Sequence, residues 1–339
     1  MGKPAQAILD YLEKHESAGG RELREHLGIS RQALHLHLRG LLESGKVIKS
    51  GSTRAARYSL ASRAPAGMVV QRDLSLEGLH EDRVYDDVAL NLGFRRQLPP
   101  SVEEVVRYAF TEMLNNAIDH SESERARVRV QLDPGTIAFE VRDDGIGVFH
   151  SIAAKAGLPD ENAAMIELLK GKTTTMPERH SGEGLFFTAR AADRFTLRSH
   201  RIQVEWDHSH DDVFVGSTRL IRGTLVRFVV SRNSRRKLKD LFGRYAPAEY
   251  DFQFQKTLVR VKLLQKAYVS RSEAKRLLSN LHKFREAILD FRDVESVGQG
   301  FADEVFRVFA RRHPETKIVA ENAGPAIQAM LTHVKRMSE

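Results

Sequence analysis

Thr111-Glu112-Met113-Leu114-Asn115-Asn116-Ala117-Ile118-Asp119-His120 is the stretch on which the reading of this chain turns, together with Asp143-Asp144-Gly145-Ile146-Gly147 downstream. The first run reads as a helix, because Val105, Val106, Ala109, Met113, Leu114, Ala117 and Ile118 recur at helical spacing and bury one face. Glu112 and Asn116 then project from a shared face, one turn apart. A carboxylate and an amide at the edge of a core each need a partner or a ligand. Between the two runs, residues 127–132 and 136–142 flank Asp133-Pro134-Gly135, which reads as two strands joined by a turn. The second strand runs into Asp143, and Gly145 and Gly147 let the backbone come close to something flat or charged.

Two further boxes follow in order, Ser181-Gly182-Glu183-Gly184-Leu185 and Gly223-Thr224. With them, residues 85–230 resemble the GHKL ATPase fold, an α/β sandwich. Glu-x-x-x-Asn-Ala-x-x-His is most similar to the histidine-kinase and anti-sigma branch of that family. The resemblance implies ATP and Mg²⁺ as ligands and assigns roles. Asn116 would bind the Mg²⁺ that bridges the phosphates, and Glu112 would orient or deprotonate an attacking water or acceptor. Asp143 would accept a hydrogen bond from the adenine amine, with Thr224 supporting it and Gly145 and Gly147 admitting the ring edge. Residues 149–184 look like the family's lid. There Lys172 is a candidate phosphate contact or a solvated loop lysine, and Gly182 and Gly184 open a helix whose N-terminal amides suit an anion.

Upstream, residues 1–62 read as three helices and a hairpin. Gly28 is a good left-handed stop for the second helix, and Ser30 a ready N-cap for the third. Leu34, Leu38, Leu41 and Leu42 form the buried stripe of that third helix, opposite Arg31, Gln32, His35 and Arg39. The order resembles a winged helix-turn-helix domain of the bacterial repressor kind. That likeness implies double-stranded DNA as partner: the third helix enters the major groove, while Arg54 and Arg57 on the hairpin meet phosphates or the minor groove. Ten Lys and Arg against six Asp and Glu make this part basic, as DNA binding requires. Winged helices also dock proteins, and that alternative stays open.

Residues 63–84 read as a linker with an uncertain lead-in, and Ser101 with Glu104 as a capping box for the main helix. Residues 231–254 read as a basic connector. Residues 255–339 alternate strand and helix three times and resemble a STAS-like α/β domain, the fold of anti-anti-sigma factors. Ser296 precedes the turn at which phospho-regulated members carry their serine, so a docking surface for a protein partner or a neighbouring domain is the better expectation.

The whole chain fits this multidomain α/β reading. At 339 residues it exceeds what one core usually holds. It has no cysteine, hence no disulfide or thiolate metal site, and a cytoplasmic protein is expected. A net charge of +8 suits an anionic partner. The expectation is an ATP-binding, DNA-binding transcriptional regulator whose nucleotide state is coupled to DNA binding, with a homodimer favoured if operators are symmetric. The alternative is a slow Mg²⁺-dependent ATPase or an anti-sigma-type Ser/Thr kinase whose winged helix docks a protein.

Overall fold

The computed structural model describes residues 3–43, 46–50, 56–60, 67–173, 182–208, 210–263 and 267–336. Arg54 and Ser181 lie outside them, as does the side chain of Arg39. The architecture is mixed α/β, and its buried apolar residues fall into three cores.

The first core belongs to α1 (Lys3–Lys14), β1 (Ala18–Gly19), α2 (Gly20–Leu27), α3 (Arg31–Glu43), β2 (Val47–Ser50) and β3 (Arg57–Leu60). The strands form an antiparallel sheet in the order β1-β3-β2. Gly28 closes α2 in the left-handed conformation at φ 62°, and Ser30 Oγ accepts from the Ala33 amide at 3.2 Å at the start of α3. Leu34, Leu38 and Leu41 are buried with Ile8, Leu12 and Leu23, as their spacing predicts.

The second core lies on a seven-stranded antiparallel sheet in the order β4-β5-β6-β10-β7-β8-β9. In chain order its elements are β4 (Met68–Ser75), α4 (Glu81–Leu92), α5 (Phe94–Gln97), α6 (Pro100–His120), β5 (Arg125–Leu132), β6 (Thr136–Asp143), α7 (Val148–Ala156), α8 (Glu161–Lys170), α9 (Gly184–Ala191), β7 (Arg194–Ser199), β8 (Ile202–Asp207), β9 (Asp212–Ser217) and β10 (Thr224–Ser231). The linker expected at 63–84 is corrected here. Met68 and Val70 of β4 are core residues, and the strand pairs along its whole length with β5. The capping box is corrected too: α6 starts with Pro100 after Pro99, with no side-chain cap. Proline is pre-organised for that first position, so the helix begins a residue before Ser101.

The third core follows α10 (Leu238–Tyr245), a helix where a basic connector was expected; Leu238 and Tyr245 are buried. Next come β11 (Lys256–Arg260), β12 (Ala267–Tyr268), α11 (Arg271–Leu278), β13 (Glu286–Asp290), β14 (Ser296–Val297), α12 (Gln299–Asp303), a π-helical turn at Glu304–Phe309, α13 (Ala310–Arg312), β15 (Lys317–Glu321) and α14 (Pro325–Arg336). Three of the strands form a parallel sheet, β11-β13-β15, and β12 pairs with β14. Among the described residues no helix is long and apolar enough to cross a membrane.

Candidate functional site

Asp143 ends β6 and Thr224 begins β10. The antiparallel register sets Leu225 opposite Arg142, which brings the two residues together across 81 positions of sequence. The Thr224 amide donates to Asp143 Oδ1 at 3.2 Å, and the Gly145 amide donates to the same oxygen at 2.9 Å. The Val148 amide in turn donates to Thr224 Oγ1 at 3.0 Å. Asp143 is only 5% exposed. Burial pushes its carboxyl above the ordinary carboxylate value, and the two backbone donors pull partly against that shift.

Facing this corner, α6 presents Glu112, Asn116 and His120 at successive four-residue steps, all on the wall of one cleft. The cleft has a volume of about 410 Å³, within the usual range for small-molecule sites. Its apolar side comes from Val141, Val148, Ile152, Leu197 and Val226, and its far end from Gly182, Gly184 and Phe186. Gly184 opens α9 against the Glu112 carboxylate, which occupies the space a Cβ would need. Gly182 has φ +73° and lies so close to Thr173 that a Cβ would come within 2.7 Å of its backbone. Tyr108 stands beside this end, its hydroxyl pushed well up by burial and then by the charges of Glu112 and Glu183. The structure thus brings Glu112, Asn116, Asp143, Gly182, Gly184 and Thr224 around one cavity.

Three expected contacts lie elsewhere. Gly145 is against α6, where a Cβ would collide with the Ser121 carbonyl that accepts from the Ile146 amide. Gly147, at φ +83°, is against Ser199 and His200, whose nearest atoms would be 2.6 and 2.9 Å from a Cβ. Both glycines therefore serve the protein's own close packing and do not line the cleft. Lys172 turns away from the cleft as well. Its ammonium donates to the Lys283 carbonyl at 2.9 Å and to Gln255 Oε1 at 3.2 Å, and sits 4.8 Å from the centre of the Phe284 ring. A partly desolvated ammonium, its pKa lowered chiefly by burial, finds better partners there than in solvent.

Ser151 was missed. It lines the cleft at 2% exposure, and its hydroxyl has no hydrogen-bond partner among the described residues. Such orphaned groups usually await a ligand or water. The signal in the sequence was a serine on the apolar stripe of α7, between Val148 and Ile152. Among the described residues no cluster of three His, Cys, Asp or Glu could hold a metal. A cation at Asn116 would have to take most of its oxygens from water and a bound ligand, a donor set that fits Mg²⁺ and nucleotide phosphates. The residues present therefore fit Mg²⁺-nucleotide.

At the other end of the chain, Arg31, Gln32 and His35 are exposed at the start of α3. Arg57 is half exposed, and its guanidinium donates to Ser17 Oγ at 2.8 Å and Ser17 O at 2.9 Å, with Glu22 at 3.5 Å. Those bonds tie β3 to the body of its own unit.

Residues 80–205 match the model of the histidine kinase-like ATPase domain, and residues 273–328 match that of a STAS-like domain of unknown function (DUF4325). No curated protein matches the chain.

Proposed function

We propose that the chain is an ATP-binding transcriptional regulator, in which the cleft takes Mg²⁺-ATP and the first sixty residues act as a winged helix on double-stranded DNA. One observation carries the nucleotide reading. Asp143 is a buried carboxylate on a cleft wall, held by two backbone amides, and in this reading it accepts from the exocyclic amine of adenine. In this reading Asn116 holds Mg²⁺, the amides of Gly182 and Gly184 at the start of α9 receive phosphate, and Glu112 positions the attacking water if ATP is hydrolysed. Bound Mg²⁺ would supply charge neutralisation for the phosphates. Three helices with a three-stranded antiparallel sheet, and the exposed polar start of α3, support the winged-helix reading. The STAS-like core would receive or transmit the nucleotide state.

Calorimetry of a non-hydrolysable ATP analogue, with and without DNA, tests both halves, because coupling must appear in each direction. Asn116→Ala should abolish the Mg²⁺-dependent part of analogue binding, and unchanged affinity counts against the site. DNA affinity should fall steeply with salt and with Arg31→Ala. A second reading has its own support. The bonds that hold Arg57 to Ser17 favour a unit that docks a protein, attached to an ATPase or Ser/Thr kinase. Transfer of labelled phosphate from ATP to a partner protein, without salt-sensitive DNA binding, would establish that reading instead.

A further inference from the structure

A second cavity of about 560 Å³ lies between the sheet core and the C-terminal core. One wall is built from the carboxyl ends of the parallel strands. Arg260, Asp290 and Glu321 close β11, β13 and β15, stand side by side in register and all face it. Ligands of open parallel sheets gather at this end of the strands. Arg190 from α9 lines it too.

The charges here are not evenly matched. Asp211 pairs with Arg260 at 2.6 Å and with Arg292 at 2.8 Å, Asp212 with Lys262 at 2.7 Å, and Asp290 Oδ1 accepts from the Asn322 amide at 2.9 Å. Arg190 has no carboxylate partner among the described residues. Its guanidinium bonds the Phe186 carbonyl at 3.3 Å and the Leu258 carbonyl at 3.5 Å, and stacks 3.3 Å over the Phe186 ring. Arg260 Nη1 is buried without a hydrogen bond among the described residues, with Asp212 and Asp290 both 3.8 Å away. For Arg190, a desolvated guanidinium without a carboxylate beside it is costly unless something anionic visits it. Burial draws the Arg190 pKa down, the Tyr245 hydroxyl pulls against that shift, and neighbouring Arg260 and Arg244 add to it.

We propose that this cavity binds a small metabolite carrying a phosphate or carboxylate group, which Arg190 and Arg260 grip while Glu321 and Asp290 face its hydroxyl or amine side. Because Arg190 stacks on Phe186, which lines the first cleft, helix α9 joins the two sites.

Trp206 is the chain's single tryptophan and lines this cavity, so its fluorescence reports occupancy. The full chain carrying Asn116→Ala, which removes the proposed Mg²⁺ ligand of the first cleft, is titrated without Mg²⁺ with inorganic phosphate and, separately, with succinate, and Trp206 lines only the second cavity. Sodium chloride at matched ionic strength sets the baseline. A saturable change with either anion is expected, and the stronger responder names the ligand's charged group. Arg190→Met should weaken it by about tenfold or more, as loss of a charge-assisted contact does. Arg190→Lys keeps a buried cation but loses the planar fork, and should also weaken binding; it decides the matter if the methionine variant does not fold. No saturable change up to about 10 mM of either anion overturns the proposal, as does a response that the Arg190 variants leave intact.

Discussion

Asp143 concentrates the chemistry of the first cleft in one carboxyl. Its folded pKa is raised by burial, so the folded chain holds that proton more tightly than the unfolded one. The charged form therefore costs stability at neutral pH, and the cost is relieved as pH falls through the raised value towards 3.8. Asp143→Asn removes it. The variant should melt no lower than the native chain at pH 7 yet lose nucleotide affinity by about tenfold or more, the usual worth of a hydrogen bond to a charged acceptor. In the native chain affinity should fall with acidification, beginning above the ordinary carboxylate range, since only the ionised carboxylate accepts freely from an amine. Thermal melts and calorimetry across pH read both. The neighbouring glycines teach a different lesson. Asp-x-Gly-x-Gly advertises close approach, but at Gly145 the approaching group is the Ser121 carbonyl, a residue of the same chain.

Helices α8 and α9 bracket the segment between the Asp143 corner and the Gly184 turn, and both lean on the C-terminal core. Lys170, the last residue of α8, is 1% exposed. It donates to Glu167 at 2.8 Å and to the carbonyls of Arg276 and Ser279 at 3.1 and 2.9 Å, while Asn280 donates to the second Glu167 oxygen. Burial lowers the Lys170 pKa, and Glu167 counteracts it. Removing one member leaves the other charged in the interior. Lys170→Met should cost about 3–5 kcal/mol in denaturant unfolding, and adding Glu167→Leu should recover much of the loss. Among the described residues helix α9 has no such ion pair, and the Glu112 carboxylate lies where a Cβ on Gly184, its first residue, would sit.

At the scale of the whole molecule, two of the three cores are joined. Tyr108, Leu241 and Phe242 pack against both the sheet core and the C-terminal core, and α10 supplies two of the three. Among the described residues the N-terminal core shares none with either, and touches the sheet domain where α3 and β2 meet α4 and β4. Scanning calorimetry should then resolve one cooperative transition for the joined pair and a separate one for the N-terminal unit. Two independent transitions for the ATPase-like and STAS-like parts would contradict the shared packing.

Much of this was readable beforehand, because periodicity and turn chemistry act locally. The α6 stripe, the β5–β6 hairpin, the Gly28 stop and the three-fold alternation of strand and helix after residue 255 follow from near-neighbour spacing. The strand β4 was not, since an edge strand is defined by its partner β5 and not by its own weak pattern. The fates of Lys172 and Arg57 were equally hidden: a flexible cation goes wherever acceptors converge, and those acceptors come from distant residues. The sequence alone determined which residue types stand at helical or strand spacing, and through them Glu112, Asn116 and Asp143 as the candidates. Only the tertiary structure decided what each glycine touches, which cations are spent internally, and that a second cavity with an unmatched arginine lies between two cores, because burial and counter-charge exist only once separate elements have met.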